Sequence, residues 1–209
     1  PSNYMTKKLV TMIVRRFRYI FLGEIHGTKE IPKATFELIR PLFKDNKIMF
    51  CLEIPKQAEK EIYKYLQGKI KKEGLLSCIY LKDANYDKRI TENILRMYRK
   101  LYRAGAVFRG LEDYGDKNHH ERDKNIAKRF INIVKKNKFD KYILYIGNMH
   151  VIDKSVKMGE YVVNPIKIYL PKNFIKKILT IKFDKGNKEG IKFNNKTNTI
   201  NYSLVLKDI

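Results

Sequence analysis

The stretch Tyr19-Ile20-Phe21-Leu22-Gly23-Glu24-Ile25-His26-Gly27 decides how the rest of the chain is read. Its first four residues are bulky and apolar, as in a buried strand. The glycine after them lets the backbone turn sharply and leaves room for a ligand to approach. The same frame returns in Tyr142-Ile143-Leu144-Tyr145-Ile146-Gly147-Asn148-Met149-His150. Two predicted strands thus each end in Gly-x-x-His, and between them they carry two of the chain's four histidines.

Working outward, strand-like apolar runs alternate with helical ones. Ile48–Leu52, Ala106–Leu111, Pro165–Leu170 and Ile178–Phe183 read as further strands. Thr28–Phe43 predicts a helix with Phe36, Ile39, Leu42 and Phe43 at helical spacing, ended or kinked by Pro41. Lys56–Lys72 carries Ile62, Leu66 and Ile70 four apart. Thr91–Arg103 stops at Gly105, and His119–Lys136 turns Ile126, Phe130, Ile133 and Val134 inward. This alternation is the mark of βαβ units. It predicts an α/β fold with a mostly parallel sheet of about four to six strands flanked by helices. One domain is expected over residues 1–209, with its core at about 19–183. A short segment lies at Val156–Val162, and the turn-rich Asn195–Asn198 makes the tail over 184–209 a β-hairpin extension, at the sheet edge or as a small cap.

Bulk properties narrow the function classes. At 44% hydrophobic and 12% aromatic over 209 residues, the chain is long enough for one sizeable core. No apolar run approaches the roughly 20 residues of a membrane span. Leu9–Leu22 is interrupted by Arg15, Arg16 and Arg18, so it is not read as a signal segment, and a cytoplasmic location is expected. The two cysteines, Cys51 and Cys78, read as free thiols and are too few for a cysteine-built zinc site. With 45 Lys and Arg against 22 Asp and Glu, the net charge of +23 would attract nucleic acid or anionic surfaces. The lysines are spread along the chain with no aromatics interleaved in one patch. Together with abundant Ile, Tyr and Asn they match the codon bias of an AT-rich genome.

Ligands of an open parallel sheet bind beyond the carboxyl ends of its strands. The predicted strands end there in Glu24 and His26, in Glu53, in Glu112 and Asp113, and in Asn148 and His150. Two imidazoles with one or two carboxylates can hold a divalent metal with a position open for water. A His–Glu pair can equally act as a general base on water without metal. No serine or cysteine stands beside these histidines as a nucleophile. His119, His120 and Glu121 read as a solvated helix start, whereas Arg122 could orient Glu24 or Glu53 or bind a substrate oxyanion.

These residues resemble the superfamily of erythromycin esterases, ChaN haem-uptake proteins and TIKI/TraB proteases. The shared frame is Gly23-Glu24-x-His26-Gly27-x-x-Glu30, then Leu52-Glu53, Arg122-Asp123-x-x-Ile126-Ala127 and Gly147-Asn148-x-His150-Val151, with Met158-Gly159-Glu160-Tyr161 near the end. The resemblance covers roughly residues 19 to 170. It implies an α/β core with the site at this edge. TIKI-like members pair the two histidine motifs with divalent metal and peptide hydrolysis. Esterase-like members use the first Glu-x-His as a base for ester or lactone hydrolysis, and ChaN-like members bind haem or iron. From this sequence neither the helical insertions of the erythromycin esterases nor the leader and anchor of TIKI proteases are expected.

The resulting expectation is a hydrolase that activates water to cut an ester or peptide bond in a small-molecule or peptide substrate. His26 is general base or metal ligand, oriented by Glu24. His150 is second ligand, or acid and oxyanion stabiliser. Glu53 completes the metal shell (Mn, Co or Zn) or fixes a histidine's charge state. Arg122, Asp123, Glu30, Glu112 and Asn148 support them. The alternatives are a haem- or metal-binding protein using the same pocket, in which any of 14 tyrosines could ligate iron, and a basic nucleic-acid-binding module.

Overall fold

The computed structural model describes residues 6–115, 119–158 and 161–206. Gly159 and Glu160 of the last resembling segment lie outside them. Helix α1 (Lys7–Arg16) precedes strand β1 (Tyr19–Glu24). Helix α2 (Glu30–Ile39) follows and gives way to a 3-10 turn at Arg40–Leu42, which places Pro41 where its missing N–H costs nothing. Strand β2 (Ile48–Pro55) leads into α3 (Glu59–Leu66), α4 (Lys72–Leu76), α5 (Lys82–Tyr86) and α6 (Glu92–Arg103). Strand β3 (Val107–Glu112), helix α7 (His119–Lys136) and strand β4 (Lys141–Gly147) complete the first half of the sheet. Beyond lie a small hairpin, β5 (Val156–Met158) and β6 (Tyr161–Val163), then α8 (Lys172–Ile175). The chain ends in β7 (Ile178–Lys185), β8 (Gly190–Asn194) and β9 (Thr199–Leu204).

The main sheet has seven strands in the order β3-β2-β4-β1-β7-β9-β8. Every neighbouring pair is parallel except β8–β9. Five strands, within the expected four to six, form its core, and the terminal hairpin extends the sheet at its edge rather than capping it. There β9 pairs in parallel with β7 from Thr180 to Lys185, and β8 becomes the edge. The Asn195–Asn198 turn joins the two, with Asn198 at φ 50°, a conformation asparagine tolerates.

Side-chain alternation assigns the two faces. Ile20, Leu22, Phe50, Leu52, Ile143 and Tyr145 join one core cluster with Leu38, Ile94 and Leu101 of the helices. Tyr19, Phe21, Met49, Cys51, Tyr142 and Leu144 join the other, against Ile126, Phe130 and Val134 of α7. The three central strands β1, β2 and β4 are buried along their whole length. That burial is why they read as unbroken apolar runs rather than alternating ones.

Two expectations need correction. Pro165–Leu170 is not a strand; Ile166–Tyr169 is a 3-10 helix, with Ile166 and Leu170 buried against the α7 side. Four-residue spacing of two apolar side chains serves a helical turn as well as a strand, and packing on α7 decides it. The helix expected over Lys56–Lys72 is also interrupted. It stops at Gln67 because Gly68 adopts φ 75°, and the N–H of Lys69 bonds back to the Lys64 carbonyl at 2.8 Å.

The β3 edge is sealed by side chains. Tyr63 Oη accepts from the Phe108 N–H at 2.8 Å and donates to its carbonyl at 3.2 Å. Glu59 accepts from the Gly110 N–H at 2.8 Å, and Arg129 donates to the Gly110 carbonyl at 2.7 Å. These contacts occupy backbone groups that would otherwise template pairing with another strand.

Candidate active site

The carboxyl ends of β1, β2, β3 and β4 converge with the first turns of α7. Glu24, the last residue of β1, is only 4% exposed and continues the face of Ile20 and Leu22. Its Oε1 accepts a short hydrogen bond from His26 Nδ1, and its Oε2 accepts from the Tyr145 hydroxyl at 3.4 Å. Burial pushes the Glu24 carboxyl above the usual carboxylate range, although His26 pulls against it. Burial works against a charged His26, but Glu24, with Glu53 and Asp87 behind it, more than offsets that and raises its pKa above the ordinary histidine value. With Nδ1 committed to Glu24, His26 Nε2 makes no hydrogen bond among the described residues, and the side chain is 30% exposed. An imidazole so arranged has a free lone pair and a carboxylate to support the cation it becomes.

The second histidine is held the opposite way. His150 Nδ1 donates to the buried Asp123 Oδ1 at 2.6 Å, which leaves Nε2 as acceptor. Arg122 Nη1 fills that position at 3.2 Å. Both ring nitrogens are thus engaged, and the side chain is 14% exposed.

Glu53 ties the two halves together. It is 5% exposed; Oε2 accepts from the Gly147 N–H at 2.7 Å, and Oε1 forms a short ion pair with Arg122. Burial opposes its ionisation, but the cations beside it, Arg122 first and then Arg89, outweigh it and bring the pKa to about 2. Glu53 reaches this position through a bulge: β2 advances three residues, Leu52 to Pro55, while β3 advances two, Gly110 to Glu112. A side chain at Gly110 would lie 2.8 Å from the Ile54 carbonyl oxygen, so the bulge requires glycine on the neighbouring strand. Arg122 is shared with Glu112 through Nε at 2.7 Å, and these two carboxylates hold it firmly protonated despite its burial. Of the two carboxylates expected to meet Arg122, it binds Glu53.

The remaining expected residues have different places. Asn148 anchors the β4 turn, donating to the Phe183 carbonyl at 2.6 Å. Glu30 sits in the first turn of α2, where a carboxylate complements the helix dipole. Asp113, at the end of β3, pairs with Lys56. The motif glycines also differ from expectation. Gly23 leaves room for the protein's own packing, since a Cβ there would come within 2.4 Å of Asn148 Oδ1 and Val151 Cγ2. Gly147 has φ −55° and leaves room for the His26 ring, whose Nε2 would lie 3.3 Å from a Cβ. Only Gly27 needs glycine's positive φ, at 82°. Cys51 is buried and its thiol is pushed up to about 12, so it offers no nucleophile.

Sequence reasoning missed Arg89. It donates to Glu112 Oε2 at 2.8 Å, to the Glu53 backbone carbonyl at 3.1 Å and to Asp87 at 2.6 Å, closing the network from the α5–α6 loop. A lone arginine between helices in a chain this basic carries no signal.

The donor set expected for a metal, His26, Glu53 and His150, does not fit an ion. Glu53 Oε1 and His150 Nε2 stand 3.6 Å apart, and both face the Arg122 guanidinium, a fixed cation where the metal would be ligated. Among the described residues no three His, Cys, Asp or Glu side chains are grouped to hold one.

Sequence comparison returns no matching family model and no matching curated protein. Solved structures do share the fold. The type III effector HopBA1 superposes with a TM-score of 0.63 at 14% identity, covering 97% of this chain and 94% of its own. ChaN of Campylobacter jejuni, described with cofacial haem binding, gives 0.60 at 11% identity over 98% and 93%. RRSP, a MARTX toxin effector domain from Vibrio vulnificus, gives 0.55 at 13% identity over 93% of this chain and 39% of its own. The chain therefore has a ChaN-like fold, shared with bacterial toxin effector domains. No helix among the described residues is long and apolar enough to cross a membrane.

Proposed function

We propose that the protein is a hydrolase that activates water with the Glu24–His26 pair and needs no metal to do so. One observation carries this reading: on a side chain 30% exposed, His26 Nε2 makes no hydrogen bond among the described residues while Nδ1 is held by a buried carboxylate. A water proton passes to Nε2, and the resulting hydroxide attacks an ester or amide carbonyl. Glu24 stabilises the imidazolium that forms, and that imidazolium returns its proton to the leaving oxygen or nitrogen. Arg122, held in place by His150 and Glu53, supplies a fixed positive charge for the developing oxyanion. The resemblance of Glu24-x-His26 to the esterase motif supports the same assignment.

The test is a screen of ester and peptide substrates with wild type and His26→Ala side by side, with and without chelator. Turnover that survives chelation and vanishes in the variant is expected. Equal turnover in both proteins would overturn the role of His26.

The likeness to ChaN favours a second reading, haem binding. The residues fit that group poorly. Both His150 nitrogens are engaged, and the cleft's two guanidiniums are already paired with Glu53, Glu112 and Asp87, which leaves Asp83 as its unpaired charge. A Soret band on haem titration that disappears in His26→Ala would nevertheless put this reading first.

A further inference from the structure

Arg89, Glu112 and Arg122, the outer part of the site's ion-pair network, form one side of a cleft of about 540 Å³. Its walls come from two segments that the hydrolase mechanism does not use: Tyr80, Asp83 and Asp87 on one side, Asp113 and Tyr114 on the other. Tyr80 and Tyr114 meet edge to face with centroids 5.0 Å apart, yet remain 36% and 43% exposed. Two rings half in solvent contribute little to the core, but they offer faces and edges to a guest.

The charge of the cleft reverses that of the molecule. The lining holds four carboxylates, Asp83, Asp87, Glu112 and Asp113, and two guanidiniums, Arg89 and Arg122, on a chain of net charge +23. Three of the carboxylates are already occupied: Glu112 by both arginines, Asp87 by Arg89, and Asp113 by Lys56. The Asp83 carboxylate makes no hydrogen bond or ion pair among the described residues, and it shares the wall with Tyr80.

We propose that this cleft is the subsite for a lysine or arginine side chain of a peptide substrate. The aliphatic stem lies along Tyr80 and Tyr114, and the cationic end reaches Asp83. Aromatic faces attract such a cation and a free carboxylate binds it. The net charge of +23, by contrast, would attract nucleic acid or anionic surfaces. The assignment rests on the hydrolase reading for its peptide bond, but not for its binding.

The test separates the two. The inactive His26→Ala protein is titrated with N-acetyl-arginine methylamide and with the neutral, isosteric N-acetyl-citrulline methylamide, following tyrosine ring signals by NMR. The arginine probe should bind about tenfold tighter, a modest effect for one exposed ion pair with aromatic support. Asp83→Asn added to this background should abolish the preference without moving the thermal midpoint. Equal binding of the probes, no binding of either, or a preference that survives Asp83→Asn would overturn the subsite. In parallel, wild type digests a mixed peptide pool read by mass spectrometry. Cuts with no bias toward lysine or arginine would sink the subsite and leave the hydrolase. No cuts, with the binding preference intact, would sink the hydrolase and leave the subsite.

Discussion

The two Gly-x-x-His motifs are alike in sequence and opposite in environment. His26 receives its carboxylate from two residues upstream on the same strand end and keeps its second nitrogen open. His150 receives its carboxylate, Asp123, from a helix 27 positions away in the chain, and has its second nitrogen covered by Arg122. The first pair is built locally and faces solvent; the second is built by tertiary packing and faces protein. In the proposed mechanism the first imidazole takes a proton, and the other holds an arginine in register. Identical motifs do not imply identical roles, because the role lies in what the distal nitrogen meets.

The largest effect should come from deleting the open imidazole. His26→Ala should lower kcat about 10²–10⁴-fold, the range for a general base. His150→Ala should cost less and show partly as a raised KM, since it loosens Arg122 rather than removing the base. Equal losses in kcat alone would erase the distinction between the histidines.

Next in size is the residue that joins the two halves. Glu53→Ala leaves Arg122 and Arg89 short of a buried counter-charge, so urea denaturation should show a loss of roughly 3–5 kcal/mol. Because the folded-state pKa of Glu53 lies below its ordinary value of 4.5, at about 2, its contribution is present above pH 4.5 and drains as pH falls toward 2. Wild type and Glu53→Ala should therefore converge in stability over that acid window. A constant gap would mean that Glu53 acts through packing.

The Glu24–His26 pair makes a pH signature of the comparison. Glu24 raises the His26 pKa, and only neutral His26 accepts a proton. The rate should accordingly rise with pH through a point above the ordinary histidine value, and Glu24→Gln should move that point down. The sign for stability is the reverse: a raised imidazole pKa favours the fold at low pH, and that contribution disappears as pH climbs through the folded pKa. An inflection unmoved in Glu24→Gln would detach it from His26.

The glycines sharpen the contrast at the smallest scale. Gly23→Ala drives a methyl into Asn148 and Val151 and should cost about 1–3 kcal/mol, as overpacking does. Gly147→Ala presses only on the His26 ring at 3.3 Å, so it should spare stability and slow turnover. A thermal melt and an assay on both variants check this, and the reverse pattern would overturn the assignment of Gly23 to packing and Gly147 to the site.

Much of this was legible in the chain. Periodicity and apolar runs determined the α/β class, because strands buried on both faces must be apolar throughout and their covering helices must not be. The Gly-x-x-His repeats and the Glu after each of three strands determined which side chains meet at one edge, because parallel strands deliver all their carboxyl ends to the same side. Local spacing could not place Arg89, bulge β2 to aim Glu53, or choose a 3-10 turn for Ile166–Tyr169; each depends on a partner distant in sequence. Nor could summed charge show that the cleft is acidic, since composition adds all charges while a ligand feels the nearest ones, the rest being screened by solvent. Sequence alone determined that the histidines and carboxylates of the strand ends assemble; tertiary structure brought in Arg89 and decided which nitrogen stays free and what stands in the cation's place, because these depend on distances of a few ångströms between residues far apart in the chain.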